Sequence, residues 1–305
     1  MIASTQLKTK FIRMKIYKKH LLVIGLAVLS ACKKNDSAPL ASAPVADPYA
    51  RFDNTSSEIE HQVYLVYQQT QIPILYNDTL SKNPLKKVNL NYQLSGPLSD
   101  YIYSYPKTKA DILSGIYFVK NSILPPLGKI KVYSISLLDT LKIVQVYGPT
   151  YSVTTNYKVI NGLTTIGIAN VPAISTMTTD QLKSYKAEVL TNILINPLVS
   201  SGTLGDFYKI SAAYYGKYVY GDVTNDYYLQ YKDKREYGFV PNGTEYPGSY
   251  QIGDQTADLK DYLAKVLSLS ASEFQTQYGS YPLVMSKYNF LKIALAAVGF
   301  DLTKV

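Results

Sequence analysis

The single cysteine of this chain stands at position 32, just after an apolar run, so no intrachain disulfide can brace the fold. Whatever forms must be held by its own apolar core. The run itself, residues 21–29, reads LLVIGLAVL. A bilayer span needs about 20 apolar residues, so this stretch is too short to cross one. Behind the basic segment Lys15-Ile16-Tyr17-Lys18-Lys19 it has the length of an export-signal core. Met14 is the expected start of that signal, because MKIYKK already supplies its charged opening.

The run ends in Leu29-Ser30-Ala31-Cys32, which resembles the lipobox of bacterial lipoproteins. Ser30 and Ala31 are small enough for a signal-peptidase cleft, and the Cys32 thiol is the nucleophile that would accept the lipid. The resemblance implies removal of residues 1–31 and a chain tethered to the outer membrane through Cys32, on its periplasmic or cell-surface face. Residues 32–48 (CKKNDSAPLASAPVADP) are rich in Ala, Pro and Ser without apolar periodicity, as expected of a tether. Residues 49–305 are left as one domain.

The formal charge of +9 overstates the basic character. Lys8, Lys10, Arg13, Lys15, Lys18 and Lys19 all precede the cleavage point, leaving 25 of the 31 basic residues against 22 acidic, or +3. No basic run remains, which argues against a nucleic-acid partner. Thirty tyrosines and no tryptophan mark the composition. Tyrosine favours strands and half-buried faces, and an exposed set of them suits a sugar or peptide ligand.

Apolar spacing predicts helices over Ser56–Thr70, Lys107–Val119, Asp180 to about Ile195, Ala257–Leu267 and Pro282–Val298. Thr178 or Thr179 is the expected cap of the third, and Pro197 its expected stop. Gln71–Tyr76 is read as extended. Strands are expected at Val88–Leu94, Tyr101–Tyr105, Lys129–Leu138, Lys142–Tyr147 and Leu163–Ala169, with Tyr214–Tyr237 irregular. The fold class is therefore α+β, a mixed sheet with helices mainly in the C-terminal half.

Catalytic signatures are sparse. There is no Gly-rich phosphate loop and no G-x-S-x-G. Of the two histidines, His20 leaves with the signal and His61 falls on the first helix as a surface or boundary residue. One histidine cannot build a two-His zinc site. Asp258 and Asp261, three apart on a helix, share a face, while Glu58 and Glu60 do not. Paired carboxylates across a cleft would be needed for glycoside hydrolysis, and such helix pairs are more often solvated.

Several segments together resemble the substrate import-associated zinc metallohydrolase lipoproteins, a metallopeptidase family. They are VYLVYQQTQIPILYNDT at 63–79, FYKISAAYYG at 207–216, YGFV at 237–240, ADLKDYLA at 257–264 and KYNFLKIALAAVGFDL at 287–302. The resemblance implies a metallopeptidase-like domain encoded beside a TonB-dependent transporter and its nutrient-binding lipoprotein. The family's zinc site rests on H-E-x-x-H, with two imidazoles on one helical face and a glutamate base. Here the matching helix reads Lys186-Ala187-Glu188-Val189-Leu190-Thr191-Asn192-Ile193-Leu194. In one alignment Glu188 and Asn192 replace the histidines and Val189 the base. Shifted by one, Glu188 keeps the base but Ala187 and Thr191 take the histidine positions. Asp261 falls where the family's E-D-F-A-E motif offers a further ligand. The resemblance thus implies vestigial site positions Glu188, Asn192 and Asp261, no catalytic residue, no metal and no cofactor. The expected function is a binding or accessory lipoprotein for a peptide or glycan in nutrient import. A hydrolase with a carboxylate-based site is the alternative.

Overall fold

A computed structural model describes residues 47–82, 84–90, 99–146, 151–221 and 227–305. The expected signal, Cys32 and nearly all of the expected tether lie outside the described residues. Pro48–Val305 forms one unit of mutually contacting elements.

Helix α1 (Glu58–Thr70) starts where the Ser57 side chain accepts the Glu60 N–H, and it buries Val63 and Val66. It leads into β1 (Ile74–Leu75), buried throughout. A hairpin of β2 (Thr79–Lys82) and β3 (Leu85–Lys87) follows, then β4 (Ser99–Ser104). Val88 and Leu90 are buried in alternation, but residues 88–90 join no ladder. Residues 91–94 of that expected strand lie outside the described residues. Helix α2 (Lys109–Phe118), capped by Thr108, passes into a π-turn over Val119–Ile123 and a short α3 (Leu124–Leu127).

Of the strand expected over Lys129–Leu138, only β5 (Ile135–Leu137) pairs. Ile130 and Val132 alternate inward without a neighbouring strand to bond. Next come β6 (Thr140–Val146), β7 (Ser152–Asn156), β8 (Val159–Asn161) and β9 (Ile166–Ile168). The central sheet has the order β1-β5-β9-β8, parallel except for β8. Its inner strand β5 is buried on both faces, as a covered parallel strand must be. β4, β6 and β7 form an antiparallel meander.

Helix α4 (Thr179–Ser201) opens with a capping box between Thr178 and Gln181. It does not stop before Pro197: it runs on to a left-handed Gly202. Leu198, one turn beyond Leu194, is wholly buried, and that packing outweighs the backbone bond a proline removes. A short α5 (Gly205–Lys209) follows. The chain ends in α6 (Gln255–Ser268), α7 (Ala271–Tyr278) and α8 (Pro282–Ala297).

One large apolar cluster joins α1, α2, β5 and β9 to α4, α6, α7 and α8. Each fully buried Leu, Ile or Phe in it contributes roughly 1.5–3 kcal/mol. The packing of α2 is close enough to require glycine: a Cβ on Gly115 would lie 2.7 Å from Val171 Cγ1 and 2.9 Å from Leu137 Cδ1. The expected α+β class is therefore observed, with the long helices in the second half.

The tyrosine-rich stretch, expected to be irregular, instead supplies a small sheet. β10 (Tyr218–Tyr220) lies between β11 (Tyr228–Leu229) and β12 (Ser249–Gln251). Val219, Tyr237, Phe239, Tyr250 and Ile252 form a separate core beneath it.

Candidate functional site

Beneath the small sheet lies a buried charge. Lys287 occupies a position on the apolar stripe of α8, between Val284 and Leu291, and is 0% exposed. Its Nζ donates to Asp258 Oδ2 of α6 at 2.5 Å and to Ser211 Oγ at 3.4 Å. Four aromatic rings surround the ammonium, with centroids at 4.5 Å for Phe239, 4.6 Å for Phe207, 4.8 Å for Tyr262 and 5.8 Å for Tyr215. The negative ring faces partly replace lost hydration.

The hydroxyl-bearing members of this cage tie it to neighbouring segments. Tyr215 Oη donates to Asp258 Oδ2 at 2.6 Å. Tyr262 Oη donates to the Gly238 carbonyl at 2.8 Å, and Ser211 Oγ to the Tyr237 carbonyl at 2.9 Å. Gly238 has φ 82°, and a Cβ there would meet Ser211 Oγ at 2.7 Å. Asp258 Oδ1 finds no donor among the described residues. Burial pulls the Lys287 ammonium down to about 8 against the attraction of Asp258. The same burial pushes the Asp258 carboxyl up.

A serine beside a lysine is also the composition of a nucleophile and its base. Here the geometry opposes that reading. Ser211 and Lys287 are both inaccessible, and the Ser211 proton is committed to the Tyr237 carbonyl. The cage is a brace, holding α8 and α6 to the loops that carry the small sheet.

The outer face of that sheet is tyrosine. Strand pairing sets Tyr218 beside both Tyr228 and Gln251, and Tyr220 beside Ser249. Residues directly paired across strands share a face. Val219 and Tyr250 point inward and are buried. Tyr220 is 57% exposed and Tyr227 56%. Their rings form a chain: Tyr218 to Tyr227 at 5.5 Å, Tyr227 to Tyr228 at 4.9 Å, Tyr228 to Tyr220 at 6.3 Å.

The residues picked from sequence have partners of their own. Glu188 on α4 is held by Lys158 Nζ at 2.7 Å. Asn192 Nδ2 donates back to the Glu188 carbonyl at 2.9 Å, along its own helix. Val189 is wholly buried in the core. Asp261 on α6 accepts from Asn242 Nδ2 at 2.8 Å, and burial pushes its carboxyl up to about 6. Among the described residues no group of three His, Cys, Asp or Glu is placed to hold a metal ion. The donors at Glu188, Asn192 and Asp261 do not fit a zinc ion: imidazole is lacking, and an ion pair holds Glu188.

The expectation that the Asp258–Asp261 pair is a solvated helix face is corrected: Asp258 is buried in its ion pair and Asp261 is only partly exposed. Glu58 pairs with Lys109 at 2.8 Å, and Glu60 accepts from the Tyr76 hydroxyl. His61 lies on the surface of α1, its Nδ1 2.7 Å from Asp53. A cleft of about 510 Å³ between α4, the α6–α7 turn and α8 is lined by Lys183, Lys186, Ser268, Tyr288 and Lys292, and by none of the vestigial positions.

The buried pair had a signal in the sequence that went unread. Lys287 and Asp258 each occupy an apolar-stripe position of their helix, and a charge there needs a buried partner. Tyr-Val-Tyr at 218–220 likewise carries the alternation of a half-buried strand. No helix among the described residues is long and apolar enough to cross a membrane. No protein-family model, curated protein or solved structure matches the chain.

Proposed function

We propose that this chain is a lipid-anchored binding protein of an outer-membrane nutrient-import system, a catalytically inactive relative of the zinc metallohydrolase lipoproteins. Cys32 is its lipid-attachment residue. Its partners are the membrane, through that lipid, and a TonB-dependent transporter with its nutrient-binding lipoprotein. The observation that carries the binding role is the exposed chain of tyrosine rings over β10 and β11. Contiguous exposed apolar surface on a rigid support marks an interaction site. Tyrosine offers large contact area at low conformational cost, because only two side-chain torsions must be fixed.

The metallopeptidase-like fold is the second part of the proposal. It rests on the sequence resemblance, with α4 in the place of the zinc-binding helix. The dispersal of Glu188 and Asp261 to separate partners supports the inactive reading. The carboxylate-hydrolase alternative draws no support from Asp258, whose carboxylate is spent on Lys287 and Tyr215.

Elemental analysis of the dialysed full-length chain, with a peptide-cleavage assay in the presence and absence of chelator, tests the inactive reading. Less than a tenth of an equivalent of zinc and no cleavage are expected. One equivalent of zinc with chelator-sensitive cleavage overturns it.

A further inference from the structure

We propose that the outer face of the β10–β12 sheet binds a neutral glycan chain. This rests on the reading of that face as the binding surface and adds the class of ligand.

The register places Tyr218, Tyr220, Tyr228, Ser249 and Gln251 on one face, and none of them is charged. A ligand carrying formal charge finds no counterion among these five. A sugar ring presents an apolar face of C–H bonds and a rim of hydroxyls. Tyrosine matches both, with a weakly negative ring face for the C–H bonds and a phenol for the rim. Ser249 adds a hydroxyl and Gln251 an amide that both donates and accepts.

Spacing supports an extended chain over a single sugar. Successive rings from Tyr218 through Tyr227 and Tyr228 to Tyr220 are 4.9 to 6.3 Å apart. The rings are inclined at 35°, 88° and 53° to one another, so repeating units along an oligosaccharide meet them in succession by edge as well as by face. The support is fixed in advance, because Val219 and Tyr250 seat the sheet on Phe239 and Tyr237. Phe239 in turn packs on the Lys287 ammonium. Ordering paid on folding is not paid again on binding. A peptide has a different preferred route, strand addition at the β11 or β12 edge, where backbone groups rather than tyrosine rings give the affinity.

The test uses proteoliposomes carrying the full-length chain. These are mixed in turn with fluorescent soluble starch, xylan, galactomannan, anionic polygalacturonate and a tryptic digest of casein, and the bound fraction is read after pelleting. At least one neutral polysaccharide should bind. The Tyr220→Ala/Tyr228→Ala variant should lose affinity on the order of tenfold or more, since two stacking rings are removed. Tyr220→Phe/Tyr228→Phe keeps the rings and should retain most of the binding. Tyr133→Ala, at a residue 71% exposed and off this sheet, should change nothing. Equal melting temperatures exclude misfolding as the cause. Binding of the peptides or of polygalacturonate alone, lost in the double alanine variant, overturns the neutral-glycan assignment and leaves the binding face standing. Binding that the double variant does not alter, or no binding to any probe, overturns both.

Discussion

Replacing Asp258 by alanine isolates the buried ammonium of Lys287 and should be among the most damaging changes in the chain. At 2.5 Å and an effective dielectric constant of about 20, the pair attracts by ~7 kcal/mol, most of it offset by the several kcal/mol needed to desolvate each ion. Breaking such a pair from one side costs about 3–5 kcal/mol, because Lys287 is left buried without its partner and must either keep an unpaired charge or give up its proton. The four surrounding rings soften the loss, each contributing roughly 0.5–2 kcal/mol to the ammonium. Tyr215 meanwhile loses its acceptor. An outcome near 3 kcal/mol is therefore expected. Asp258→Leu combined with Lys287→Met removes both charges and should recover most of the loss, since apolar replacements of buried pairs are often neutral or stabilising. Urea unfolding at pH 7, followed by far-ultraviolet circular dichroism, of the wild type, Asp258→Leu, Lys287→Met and the double variant gives the four corners of the double-mutant cycle, with Asp258→Ala measured beside them. A cost below about 1 kcal/mol for Asp258→Ala would refute the reasoning, as would a double variant that simply adds the two single losses.

Three further outcomes follow from other parts of the molecule. Burial raises the Asp261 carboxyl to about 6 in the fold, so its proton is held more tightly there than in the unfolded chain. That stabilisation is full below about pH 4 and is lost as pH rises through about 6, an effect of about 1–2 kcal/mol once solvent screening of the partly exposed carboxyl is allowed for. Asp261→Asn should flatten this slope and be the more stable protein at pH 7.5; urea midpoints at pH 4.5 and 7.5 measure it, and an unchanged slope contradicts it. Gly115→Ala drives a methyl into Val171 and Leu137 and should cost about 1–3 kcal/mol in the same denaturation assay, whereas a neutral result would mean the helix α2 contact can yield. Cys32→Ser should move the protein from the membrane to the soluble fraction; retention on membranes after a high-salt wash contradicts lipid anchoring, in which each buried CH₂ contributes roughly 0.8 kcal/mol.

The parts of the fold legible in the sequence were those set by local pattern. Apolar periodicity placed α1, α2, α6 and α8, and the Thr-Thr-Asp-Gln run announced the α4 cap. Strand expectations at β4, β6 and β9 also met real strands. Failures came where tertiary contacts decide. Leu198 carries α4 through Pro197, and Ile130 and Val132 alternate like a strand without a neighbour to bond. The tyrosine stretch looked irregular because its two strands are only three and two residues long and the third strand of their sheet, β12, lies beyond it. The candidate site was legible as composition, a surplus of tyrosine, but not as place. Motif alignment drew attention to Glu188 and Asp261, whose actual partners, Lys158 and Asn242, are distant in sequence. The Lys287–Asp258 pair was visible in principle, as two charges on two apolar stripes.

Binding without chemistry can be separated from turnover in one calorimetric titration. The full-length chain is titrated with soluble starch, xylan, galactomannan and the casein digest in turn, beside Tyr220→Ala/Tyr228→Ala, and the size of the added ligand is measured afterwards. The tyrosine face predicts heat that saturates for the wild-type chain, returns to baseline after each injection, and falls on the order of tenfold in affinity in the variant, with the ligand recovered at its original size. Sustained heat after each injection, with fragments of the ligand in the cell, would contradict it.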